Sequence, residues 1–241
     1  DGDAPQIGLR EGGYLYLGSK AGAATLREVN ALQRAEGADI AHLEADALAK
    51  RFPWLNLDGV AAGNLGISGE GWFDGWGLLQ GFRKGARARG AEYRAAEAAR
   101  YELTDGKVTA VILTTGERIP CGMAVNAAGS NGAALAATAG VVIPVRPKKR
   151  QVFSYLCKGD VADCPLLIDV SGVWCRPEGH RTAEGQRYIC GVSPPADRDP
   201  DWNEADPHVT DVDWAEFEEV VWPALAQRVP AFEAIRTAQA W

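Results

Sequence analysis

The chain changes texture near residue 141. Up to that point, helix and strand patterns alternate; beyond it, four strand-like runs follow one another, "VRPKKRQVFSYLC", "CPLLIDVSG", "VWCRPEG" and "QRYICGVSP", separated by Gly and Pro turns. Successive strands with short turns and no intervening helix pair antiparallel, because a parallel return needs a crossover of a dozen or more residues. A mixed α/β (α+β) fold with a mostly antiparallel sheet follows.

The first half supplies the other elements. "GGYLYLGS" (12–19) alternates Tyr14 and Tyr16 with Leu15 and Leu17, as a strand buried on both faces would. Thr25 with Glu28 forms a capping pattern, and Leu26, Val29 and Leu32 give a helical stripe ending before Gly37. "EADALAKRFPWL" reads as a short helix stopped by Pro53. Asp74 is a natural N-cap for the next helix. Along it Leu78, Leu79, Phe82 and Ala86 share one face, Arg83, Lys84, Arg87 and Arg89 take the other, and Gly90 ends it. "RYELTDGKVTAVILTTGERIP" is a hairpin around Asp105-Gly106 with a second turn near Gly116.

"AVNAAGSNGAALAATAG" (124–140) reads as an apolar strand that stops at Gly129 and turns into an Ala-rich helix. Such a turn aims backbone N–H groups and a positive helix end at whatever lies above it, which suits phosphate. A packed strand-turn-helix with no ligand fits the same residues. Near the end, Asp213 with Glu216 starts a helix carrying Trp214, Phe217 and Val221 on one side; Pro223 interrupts it before "RVPAF", and "TAQAW" lies in a strand.

Composition excludes several functions. With 241 residues, 46% of them hydrophobic, the chain can bury the core of one large domain or two small ones. The 25 Lys and Arg against 32 Asp and Glu give a net charge of −7, so there is no nucleic-acid footprint, and "RPKKR" (146–150) is too short to make one. No apolar run approaches the roughly 20 residues that span a bilayer, and the N-terminus lacks a signal pattern. Five cysteines without a C-x-x-C pair argue against a disulfide framework or zinc site and suit a reducing compartment. His42, His180 and His208 are scattered, so no metal site is expected. Met123 is the only methionine and the chain opens at Asp1, which suggests a piece of a longer protein.

The stretches "FPWL", "GEGWFDGWGLLQGFRKGARARGA", "VNAAG", "LAATAGVVIPVRPKKRQVF" and "VWPALAQRVPAFEAIRTAQAW" resemble the D-amino-acid oxidase (DAO) superfamily of FAD-dependent oxidoreductases over nearly the whole chain; "GEGWFD" and "RVPAFE" mark one branch. The resemblance implies part of an FAD-binding Rossmann-like domain joined to a substrate domain: 1–71 as the first part of the substrate domain, 72–141 as the middle segment of the FAD-binding domain, and 142–241 as the antiparallel sheet and helix of the substrate domain. Members open with a strand-G-x-G-x-x-G-helix unit and close with a Gly-rich flavin segment, and this sequence has neither. It therefore resembles an internal fragment, expected neither to retain FAD nor to be active by itself.

Carried over residue by residue, the resemblance puts Gly129, with Ala127, Ala128, Ser130 and Asn131, beside the FAD, and Ala98 where a small residue's backbone meets the adenine. It implies oxidation of a C–N bond in an amino acid or N-methylated amino acid, of the D-amino-acid, sarcosine or dimethylglycine type. A cation usually anchors the substrate carboxylate in such enzymes. The substrate-side candidates are Lys148, Lys149 and Arg150 at the start of the first long strand of the sheet, with Tyr155, Trp174 and Arg176 further along. No catalytic residue and no metal ligand is assigned. The alternative implied by the branch is an assembly factor acting in respiratory-complex biogenesis. The expected partners are a small amine or amino-acid substrate and a second copy of the chain, the latter because unpaired strand edges and apolar faces promote self-association. The expected location is the cytoplasm, or peripheral to an inner membrane.

Overall fold

The computed structural model describes residues 6–202, 208 and 210–241. In chain order its elements are β1 (Tyr14–Gly18), α1 (Ala23–Ala35), β2 (Ile40–Glu44), α2 (Ala45–Arg51), β3 (Ala62–Gly66), α3 (Gly75–Ala88), β4 (Ala98–Thr104), β5 (Lys107–Leu113), β6 (Arg118–Pro120), α4 (Gly132–Ala137), β7 (Phe153–Cys157), β8 (Leu166–Ile168), β9 (Trp174–Thr182), β10 (Gly185–Gly191), α5 (Trp214–Glu216), α6 (Trp222–Arg228) and β11 (Ile235–Ala240). They form two compact units. The first takes the described residues up to Leu78, residues 150–194 and those from Thr210 on; the second takes Leu79–Lys149 and the described residues of 195–209.

The first unit is built on an eight-stranded sheet in the order β11-β7-β10-β9-β8-β1-β3-β2. Every neighbouring pair is antiparallel except β1 with β8. Alternation along each strand sends one set of side chains into the core. Leu15, Leu167, Cys175, Tyr188 and Tyr155 are on that face, the helical run from α5 through α6 adds Phe217, Val221 and Leu225, and a 3-10 turn at Pro230–Glu233 adds Phe232. Three rings meet at its centre: Phe232 lies 5.2 Å from Tyr155 and 4.9 Å from Tyr188, both edge-on, and the two tyrosines stack at 5.4 Å. Such pairs add about 0.5–1.5 kcal/mol each beyond the apolar area they bury.

A buried ion pair ties α6 to the sheet. Arg228 Nε donates to Asp169 Oδ1 at 2.5 Å, and its Nη1 donates to the backbone carbonyls of Asn56 and Asp58. Asp169 also accepts from the Ser171 amide and hydroxyl. Burial alone would raise its pKa, but the Ser171 hydrogen bonds and the Arg228 guanidinium outweigh that and hold it below the usual carboxylate range.

The second unit is smaller. It contains the three-stranded meander β4-β5-β6, α4 and the C-terminal part of α3. Asp105 and Gly106 both have positive φ, +50° and +73°, which is the backbone of a two-residue type I′ hairpin turn. Its buried apolar set is Tyr101, Ala110, Leu113 and Ala136.

Several local expectations are corrected. β1 is buried on one face only, since Tyr16 is 48% exposed between buried Leu15 and Leu17. Thr25 lies inside α1, which starts after Gly22 with no side-chain cap, and the helix turns Val29 and Leu32 outward while burying Asn30. Asn30 Nδ2 bonds the Ile40 carbonyl, and Asn64 Nδ2 bonds the Leu26 carbonyl, so α1 is held by amide contacts more than by its apolar stripe. Pro223 does not break the last helix. It sits in the first turn of α6, after a π-helical turn at Phe217–Val221 that absorbs the missing N–H. Residues 124–128 are not a strand, because no neighbouring strand pairs with them among the described residues.

Candidate functional site

In the second unit the chain runs from 126 into a 3-10 turn at Gly129–Asn131 and then α4. Gly129 has φ +56°, and a Cβ built there would meet nothing within 4 Å, so the backbone conformation calls for glycine and the space above it is open. Asn126 brackets the turn from below: its Oδ1 accepts the Ala128 N–H at 3.2 Å and its Nδ2 donates to the Gly132 carbonyl at 2.8 Å. Ala127, Ala128 and Gly129 line a cavity of about 440 Å³ with Tyr101, Val141 and Val145. Ser130 and Asn131 line another, of about 410 Å³, beside Arg146 and Trp202.

Ala98 stands apart from both cavities. It begins β4, the edge strand of the meander, opposite Leu113. One bond links this strand to the turn region: the Tyr101 N–H donates to Thr138 Oγ1 just beyond α4. Five of the six residues expected at the cofactor edge thus lie together, and the sixth lies on a strand tethered to the same helix.

The substrate-side candidates scatter. Tyr155 is fully buried in the first unit's core, with burial pushing its hydroxyl pKa far up. It is on the wrong face of β7 for a substrate, because Phe153, Tyr155 and Cys157 all turn toward Phe217 and Phe232. Lys148 and Lys149 precede β7 rather than start it. Lys148 Nζ reaches the Asp199 carbonyl and, at 3.0 Å, the Asp201 carboxylate. Lys149 Nζ donates to the His208 carbonyl and lies 4.6 Å from the Trp202 ring centroid. Both serve the loop after β10 within the second unit. Arg150 also precedes β7.

Trp174 and Arg176 alternate with the core residue Cys175 and so share the opposite sheet face. Arg176 is already neutralised: it pairs with Glu178, bonds the Pro177 carbonyl and lies 5.5 Å from the Trp72 ring centroid. The residue missed by sequence reasoning is Arg187. It shares this face, directly opposite Leu156 on β7 and Glu178 on β9, and its Nη1 donates to Ser154 Oγ at 3.3 Å. Its signal was present in "QRYICG", where inward Tyr188 and Cys190 place Arg187 outward. Burial raises the thiol pKa of Cys157 and Cys190, and at Cys164 the side-chain interaction with Cys175 raises it first and burial second, so these are packing residues, not nucleophiles. Among the described residues no group of side chains is arranged to hold a metal ion.

The fold is a mixed eight-stranded sheet, helix-covered on one face, and a β-meander unit with a small-residue turn. Two solved structures share it: L-proline dehydrogenase from P. horikoshii (TM-score 0.79, 19% identity, 98% of this chain and 60% of that one) and glycine oxidase from Bacillus cereus (TM-score 0.71, 18% identity, 98% and 60%). The chain belongs to the DAO family, described as FAD dependent oxidoreductase, whose pattern matches residues 2–241. Its curated relatives include proteins named FAD-dependent oxidoreductase domain-containing protein 1, 35% identical in Bos taurus and 36% in Xenopus laevis, each aligned over 99% of this chain. The chain spans about half the length of these relatives, 54% and 52%.

The residues present fit part of an FAD. The uncharged small-residue wall at 127–129 and the free edge of β4 at Ala98 suit its neutral portions, with the Arg146 cation lining the same cavity as Ser130 and Asn131. The glycine-rich pyrophosphate loop of dinucleotide sites is not in this sequence.

Proposed function

We propose that this chain carries the substrate-side sheet and one edge of the cofactor site of an FAD-dependent enzyme that oxidises the C–N bond of an amino acid or N-methylated amino acid. The observation that carries the proposal is Arg187: a half-buried guanidinium on the sheet face opposite the core whose only bonded partner among the described residues is a neutral hydroxyl. A carboxylate is the natural counter-ion for that fork of donors, and an amine substrate without one would leave it uncompensated.

Arg187 would hold the substrate carboxylate, and Ser154 sets the guanidinium's orientation from the neighbouring strand. Trp174, on the same face, would shield the substrate from water. Ala127 to Asn131 and the β4 edge at Ala98 would contact the cofactor through backbone and small side chains. FAD, when bound, supplies the acceptor for the hydride that leaves the carbon next to nitrogen. The amine, having lost that hydride and a proton from nitrogen, becomes an imine. Because the carbon–hydrogen bond gives its electron pair away, the protein's part is orientation and exclusion of water.

The test is the visible spectrum of the whole gene product, purified and kept anaerobic, before and after adding sarcosine, dimethylglycine and a panel of D-amino acids. A flavin band that bleaches with one of these amines supports the reading. A flavin band indifferent to all of them would overturn it.

A further inference from the structure

The first unit holds a cavity of about 590 Å³ that the substrate-side face does not use. Its size falls within the roughly 300–1,000 Å³ usual for small-molecule sites. Trp72 and Tyr188 form its wall, and Arg10, Glu11, Arg51 and Asp163 its charged rim. The position of Trp72 is fixed from two sides. Its backbone exchanges hydrogen bonds with Arg10 at 2.8 and 3.0 Å, and its ring lies so close over Gly12 that a Cβ there would be 2.4 Å away.

The rim charges do not neutralise one another. Arg10 Nη2 is bonded only to His180 Nδ1, at 3.1 Å, and the Arg51 guanidinium lies 5.8 Å from the Phe52 ring centroid. Neither arginine meets a carboxylate among the described residues. Glu11 spends one carboxylate oxygen on the Gly69 N–H, while Asp163, at a φ of +50° uncommon for a non-glycine residue, has no partner among the described residues. Two cations and two anions around one cavity call for a ligand with both charges and no net charge. A dicarboxylate would be repelled by Glu11 and Asp163, and a simple amine by the arginines.

We propose that this cavity binds a small zwitterion of the α-amino-acid class, its carboxylate on Arg10 and Arg51 and its ammonium on Asp163 and Glu11. It is a second amino-acid site, distinct from the one proposed at Arg187: Tyr188, which lines it, alternates along β10 with Arg187, which faces the other way, while Trp72 of its wall also meets the Arg176 guanidinium at 5.5 Å. The inference is independent of the redox reading.

Isothermal titration with three probes that share one side chain tests it: L-leucine, N-acetyl-L-leucine, which keeps only the anion, and L-leucine methyl ester, which keeps only the cation. Leucine is expected to bind at least about tenfold more tightly than either derivative, since each loses a set of charge-assisted bonds. Arg51→Gln and Asp163→Asn, both exposed positions, should each weaken leucine about tenfold or more, while Lys107→Gln, on β5 of the second unit, leaves this binding unchanged. As an independent readout, leucine should quench tryptophan fluorescence, and Trp72→Phe should remove most of that quench. Equal affinity for the three probes, no saturation by leucine, or a loss confined to Arg187→Gln would each overturn the proposal, the last by assigning the amino acid to the substrate-side face.

Discussion

The two units differ in how much of their apolar surface each buries. In the first, a helical run covers one face of the sheet, three aromatic rings interlock at the centre, and the buried charge of Arg228 has a carboxylate and two carbonyls. In the second, four buried apolar residues are outweighed by exposed ones: Phe82 on α3 is 71% exposed and Val142 is 91% exposed, with Leu79, Met123 and Val125 also open. Large apolar side chains exposed in such number are the kind of surface against which something else packs. The first unit buries a large apolar core among the described residues, whereas the second leaves much of its apolar side-chain surface exposed.

Phenylalanines in the two units give the sharpest contrast. Phe232→Ala removes the ring that touches both core tyrosines and should lower stability by about 3–5 kcal/mol in chemical denaturation. A loss under about 1 kcal/mol would break the comparison. Asp169→Asn strands the Arg228 guanidinium without its counter-charge and should cost on the order of 3 kcal/mol. Because the folded-state pKa of Asp169 is depressed, its contribution is present above the unfolded carboxylate value of about 3.9 and is lost as pH falls through the lower folded value. A pH series of midpoints should therefore show the wild type losing its advantage over Asp169→Asn in acid, not near neutrality.

In the second unit the effects shrink. Gly129→Ala meets no steric neighbour, so only the left-handed backbone resists it, at about 1 kcal/mol or slightly more. Phe82→Ser should change folding stability by less than about 0.5 kcal/mol. It should nonetheless reduce self-association, for we expect this chain to be a dimer or larger through its open apolar surface. Light scattering that finds the wild type monodisperse and monomeric would count against that surface.

Local signals explain most of what the sequence disclosed. The Asp105-Gly106 turn, the Asp74 cap, the Pro53 stop and the strand run after 141 are each decided by a few adjacent residues, and the structure has them all. Where long-range partners decide, the sequence misled. The apolar segment 124–128 needs a neighbouring strand to become one, and Tyr155 was assigned to the substrate-side face although the rings of Tyr188 and Phe232 place it in the core. Lys148 and Lys149 read as sheet residues because the loop after β10, which they hold, is distant in sequence. Arg187 was legible in principle. Its period-2 position was there, but its weight depends on Glu178 being taken by Arg176, which only packing reveals.

The most direct test of the account is anaerobic flavin reduction in the whole gene product, wild type against Arg187→Gln, with an accepted amino-acid substrate and with the amine lacking its carboxylate. The substitution is expected to raise the KM for the amino acid about 10- to 100-fold and to leave the decarboxylated amine, already weak, unchanged. Equal losses with both substrates, or none with either, would contradict this and remove the sheet face opposite the core as the place where the substrate carboxylate is held.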